Sequence, residues 1–150
     1  MSVVTELQAE RDACVRRISS RNTKIRNCER SYESLRTFKQ SVERSQAGVD
    51  SVNSEKQQLL SSVSEISATC RSARKYSEGM SNTLSGIGVR AVGVTYDALV
   101  LSIRLKMSVY MSAIDTYERE ISSLESRISQ LDREIEAARQ AEALASTTGG

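Results

Sequence analysis

Apolar side chains recur along this chain with a seven-residue period. Val100, Met107, Ile114, Ile121, Ile128 and Ile135 stand seven apart, and Ile103, Tyr110, Tyr117, Leu124, Leu131 and Ala138 form a second series offset by three. Alternating steps of three and four put both series on one stripe of an α-helix, the a and d positions of a heptad, and no polar residue interrupts it. Glu118, Arg119, Glu120, Glu125, Arg127, Asp132, Arg133 and Glu134 fill the positions between. The pattern predicts a helix from Ala98 to about Ala143, roughly 70 Å long.

The N-terminal half carries a weaker version of the same pattern. Val4, Leu7, Cys14, Ile18, Ile25, Cys28, Tyr32 and Leu35 follow the 3/4 spacing, with Arg11 and Arg21 at seam positions. Near Phe38 the apolar phase slips by one residue and continues through Val42, Val49, Val52, Leu59, Val63, Ile66, Cys70 and Ala73. Gly48 weakens a helix interior and Asp50 is a good N-cap, so a kink or short break is expected there. Four of the seven glycines, Gly79, Gly86, Gly88 and Gly93, fall between Tyr76 and Tyr96. These are the densest turn signals in the chain, so the chain is expected to reverse there.

An unbroken apolar seam must be buried, and the nearest cover is the other arm. The expectation is therefore an all-α fold: an antiparallel, coiled-coil-like helical hairpin with its first arm kinked near Gly48. It would form one domain over 1–145, with arms 3–76 and 97–145, a glycine-rich connection 77–96 and a disordered tail 146–150. Charge supports the pairing of the arms. Residues 11–44 hold ten basic against four acidic side chains, and residues 115–142 hold four basic against eight acidic. Setting Arg11 beside Glu142 and Arg44 beside Asp115 places the fold-back near Gly79.

Composition then removes most chemistry. The chain has 150 residues, no His, no Pro and no Trp, and a net charge of +2. Lack of His excludes Ser-His relays and most zinc sites. Gly86, Gly88 and Gly93 lack the dinucleotide-binding spacing, and no phosphate-loop Gly-Lys-Ser/Thr occurs. Glu118 and Glu120 do not share a helix face. No enzymatic activity, cofactor or metal is expected. Cys14, Cys28 and Cys70 all fall on the apolar stripe and read as small buried hydrophobes. The basic residues of the first arm surround the helix instead of forming one stripe, so no nucleic-acid partner is expected. Leu84–Ile103 is the most apolar stretch, but Arg90 and Asp97 within it argue against a membrane span. The N-terminus lacks a basic region followed by an apolar one, so the chain is expected to be made in the cytoplasm without a cleavable signal.

The glycine segment, Ser85-Gly86-Ile87-Gly88-Val89-Arg90-Ala91-Val92-Gly93-Val94-Thr95-Tyr96-Asp97, resembles the Trp-x-Gly turn of small helical-hairpin proteins of bacterial type VII (ESX) secretion. Gly88 matches the motif glycine, and Gly86 stands where the family has Trp. The Tyr-x3-Asp/Glu export signal is also lacking: Ile121 follows Tyr117 and Ile114 follows Tyr110 at that spacing. The size, the Ser-rich first arm and the late heptads resemble the YwqH-like partner proteins of LXG-domain toxins.

The resemblance implies a targeting or chaperone-like adaptor that binds the helical leader domain of a secreted toxin, with or without a second small helical protein. The export signal would then come from a partner, and co-secretion with that partner is compatible with this reading. Gly86, Ile87, Gly88, Val89, Val92, Val94, Tyr96 and Leu99 are the expected partner-binding residues, more apolar than a solvated loop requires. The alternative is a self-associating coiled-coil scaffold or tether, and a homodimer is compatible with either.

Overall fold

The computed structural model describes residues 2–67 and 70–149. These residues form three helices, α1 (Val3–Ser67), α2 (Arg71–Leu84) and α3 (Ile87–Thr148), with no strand among them. The protein is an all-α helical hairpin. It divides into two compact units: Met1–Tyr32 with Ser108–Gly150, and Glu33–Met107.

In the first unit the seam forms as the heptads predict. Leu131 has no exposed surface, and Cys14, Ile114 and Ile135 are buried with it. Val4, Leu7, Ile18, Ile25 and Cys28 are half-buried on α1, as are Tyr117, Ile121, Leu124 and Ile128 on α3. The two seam arginines turn to the facing helix. Arg11 Nε meets Asp132 Oδ1 at 2.5 Å, and Arg21 pairs with Glu120. Arg127 meets Glu10 at 2.7 Å, and Lys24 Nζ lies 5.6 Å from the centre of the Tyr117 ring. Hydrogen bonds to Asp132 and Glu10 hold the Arg11 and Arg127 guanidinium groups above their ordinary pKa. This register differs from the expected one, because Arg11 faces Asp132 and not Glu142.

In the second unit the phase slip expected at Phe38 does not occur. The same line runs on from Leu35 through Lys39, Val42, Gln46, Asn53, Leu60 and Val63, all buried or half-buried, although Val49 and Lys56 between them on that line are exposed. Phe38, Val52 and Leu59 each stand one residue off this line and are exposed. Leu59 is 69% exposed while Leu60 is 9% exposed. Polar residues can hold seam positions where they find partners: Gln46 Nε2 donates to Asp97 Oδ1 at 3.1 Å. Ser77, Leu84 and Ile103 are buried on the facing arm.

α1 passes through Gly48 without a break. It ends instead in a serine-rich segment, where Ser61 and Ser62 hydroxyls bond back to the carbonyls of Gln57 and Gln58. Such bonds compete with the helical ladder and weaken it. Cys70, with φ −134° and ψ 118°, is extended and precedes α2. It is exposed, unlike Cys14, and falls outside the seam.

The chain reverses here and not at Gly79. Leu60 and Val63 of α1 line one depression with Tyr76, Met80 and Leu84 of α2, so α2 runs back along α1 as the start of the second arm. Residues 71–76 therefore leave the first arm, and most of the expected connection 77–96 is helical. Only Ser85 and Gly86 interrupt it. Gly79, Gly88 and Gly93 lie within helices, and no described residue has positive φ. The expected disordered tail is helical as far as Thr148, with Thr147 and Thr148 hydroxyls bonding the carbonyls of Ala143 and Leu144.

Candidate helix-docking surface

The glycine segment opens α3, and the heptad found downstream extends back through it. Gly86, Gly93 and Val100 take a positions, and Val89, Tyr96 and Ile103 take d positions; all six are buried or half-buried. Arg90, Asp97 and Arg104 follow one another at e, exposed and seven residues apart. Glu43 and Gln46 of α1 share a polar depression with Asp97 and Arg104. One edge of α3 is therefore polar.

From Gly86 to Leu105 the rest of the helix surface is apolar or small. Ala91, Val94, Ala98, Leu101 and Leu105 alternate between b and f positions, opposite the seam and exposed. Val94 is 68% exposed, Leu101 56% and Leu105 61%. Steps of three and four again join them into one stripe, a second seam on the outer face of the helix. The segment from Arg71 to Thr148 contains an 18-residue window long and apolar enough, by length and composition, to cross a membrane, and only 6% of that window is buried.

The structure divides seven of the eight expected binding residues among four settings. Gly86, Val89 and Tyr96 belong to the inner seam. Val94 faces outward, whereas Val92 and Leu99 lie on a flank at g positions and Gly88 is exposed in the first turn of α3. The Ile87 side chain lies outside the described part. Sequence reasoning did not select Ala98 or Leu105, although the steps from Val94 to Leu105 are the signal that marks them. It also placed Val52 and Leu59 in the core, and the structure exposes both.

Gly86 has a local reason to be glycine. A Cβ there would fall on the carbonyl oxygen of Asn82, in the last turn of α2. At Gly88 an added Cβ meets nothing within 4 Å. No cluster of three or more His, Cys, Asp or Glu side chains that could hold a metal occurs among the described residues. Comparison with known protein families, with curated proteins and with solved structures finds no significant match.

Proposed function

We propose that the protein is a non-enzymatic helical adaptor, a targeting or chaperone-like partner of the helical leader domain of a type VII secretion toxin of the LXG kind. The observation that carries the adaptor reading is the outer stripe of α3. A helix apolar on nearly all sides is normally buried on all sides. Here α1 covers the a/d face and meets the adjoining e edge at Asp97, and Val94, Ala98, Leu101 and Leu105 remain exposed. An amphipathic helix from another protein, laid along this stripe, would bury residues at 3/4 spacing. The likeness of the Gly86–Asp97 segment to the Trp-x-Gly element supplies the type VII part of the reading.

A membrane is a poorer match for the same stripe. Arg90, Asp97 and Arg104 recur through the segment, and α1 packs beside it with Arg36, Lys39, Glu43, Arg44, Asp50 and Glu55. A spanning α3 would carry these charges toward the hydrocarbon, at roughly 2.5–3.5 kcal/mol each near its centre. Co-expression with the helical domain of an adjacent LXG-type toxin tests the proposal. A stable complex of defined stoichiometry is the expected result. Failure to co-purify with that domain, together with partition of the chain into membranes, would refute it.

A further inference from the structure

The inner line of α1 carries four cations, Arg11, Arg21, Lys39 and Lys56, at positions where a heptad seam normally holds apolar side chains. Three of them have a carboxylate beside them. Arg11 meets Asp132, Arg21 meets Glu120, and Lys39 Nζ lies 3.5 Å from Glu43 Oε1. Lys56 is exposed and forms no ion pair among the described residues. Its neighbours are apolar instead. Lys56 lines a depression of about 210 Å³ between α1 and α2. In that lining Leu60 and Leu84 are buried, Val63 and Met80 half-buried, and Leu59 and Tyr76 exposed. The depression has its cause in the sequence. The inner line of α2 runs Ala73, Ser77, Met80 and Leu84, so its first two members are small. On α1 a lysine, whose charged head turns to water, stands in place of an apolar side chain. Both helices therefore lack bulk where they face each other.

We propose that this depression binds the anion of a medium-chain fatty acid, with the carboxylate at the Lys56 ammonium and the chain against Leu60, Val63, Met80 and Leu84. Two features select that chemistry together. The cation without a carboxylate calls for an anion from outside the fold. The apolar lining beside it calls for a hydrocarbon chain on the same molecule. At about 30 Å³ for a water-sized group, the depression has room for about seven such groups, which suits a chain of about eight carbons. Lys56 is exposed, so the carboxylate keeps part of its hydration and only the chain leaves water. No charge has to be buried, which would be costly.

An anionic membrane surface is a poorer match for the same place. From Glu55 to Leu84 the carboxylates of Glu55, Glu65 and Glu78 offset Lys56, Arg71, Arg74 and Lys75, so no strongly cationic face forms. A single carboxylate beside one ammonium needs no such face. Every residue lining the depression belongs to α1 or α2. The site is therefore separate from the outer stripe of α3, and the inference does not depend on the adaptor reading.

Titration of the full chain with sodium octanoate below its micellar concentration, followed by methyl and amide NMR, tests it. Signals of Leu60, Val63, Met80 and Leu84 should shift saturably, and those of Leu101 on the outer stripe should not. Affinity should rise about two- to fourfold per added methylene from butanoate to octanoate, then level off as the chain outgrows the depression. Octylamine, with the same chain and the opposite charge, should bind the wild type more weakly than octanoate. Lys56→Glu should lower the octanoate affinity about tenfold with the helical circular dichroism unchanged. It should also bind octylamine better than the wild type does, a reversal that a purely structural role for Lys56 would not produce. The comparison of octanoate with octylamine on the wild type serves where that variant unfolds. No saturable shift with octanoate, equal affinity of the wild type for octanoate and octylamine, or Lys56-dependent binding to phosphatidylglycerol vesicles without octanoate binding would overturn the proposal.

Discussion

Gln46 of α1 donates a hydrogen bond to Asp97 of α3 across 3.1 Å. This pair fixes the level at which the two arms of the second unit meet. Together with Leu60 and Met80, which line one depression, it traces the reversal to the segment between Ser67 and Arg71. Ser20 and Ser123, exposed on facing helices of the first unit, provide a solution test. Spin labels there should report a short distance within a single chain diluted in unlabelled protein. A reversal at Gly79 would move them about 20 Å out of step along the helices.

The heptad phase predicts opposite outcomes at adjacent leucines. Leu60→Ala should destabilise the fold by about 2–5 kcal/mol, the range for a buried leucine. Leu59→Ala should stay within about 0.5 kcal/mol, as for other exposed sites. Urea unfolding followed by circular dichroism separates the two. Equal losses would restore the shifted phase that the apolar residues alone suggest. In the first unit Leu131→Ala should behave like Leu60→Ala, and Ser129→Ala should have no measurable effect.

The two glycines of the Gly-x-Gly element should also differ. Gly86→Ala places a methyl on the Asn82 carbonyl and should lower the melting temperature. Gly88→Ala meets open space inside α3 and should raise stability by up to about 1 kcal/mol, the helix-propensity difference between the two residues. Loss of stability in both variants would mean that Gly88 has a structural role the geometry does not show.

Ion pairs set the register of the first unit more than its stability. Arg127→Glu brings two carboxylates together at Glu10 and should lower the melting temperature. Adding Glu10→Arg should restore most of the loss. The difference should shrink as salt rises, because exposed charges are screened. A loss that is independent of salt and not rescued would point to packing by the Arg127 stem.

How much of this was legible in the sequence depended on where apolar residues coincide with the seam. From Val100 to Ala138, and from Val4 to Leu35, every apolar residue assigned to the seam is buried or half-buried. Beyond Leu35 the coincidence fails. Lys39, Gln46 and Asn53 occupy the inner line while Phe38, Val52 and Leu59 face outward, so following the apolar residues gives the wrong phase. The glycines misled in a similar way. Three of the four between Tyr76 and Tyr96 continue a helix, and the reversal follows a serine-rich stretch with no glycine or proline. The docking stripe was partly legible: Val94 stood out as too apolar, but its other members emerge only once the inner face of α3 is known.

The most direct test of the adaptor reading is the affinity of this chain for the helical domain of the proposed toxin partner, wild type against the double change Val94→Asp with Leu101→Asp. Both residues lie on the outer face of α3, so the variant should keep its helical circular dichroism and its mass in sedimentation. The account predicts loss of binding by at least about a hundredfold, the scale for hot-spot anchors. Undiminished binding by the folded variant would contradict it.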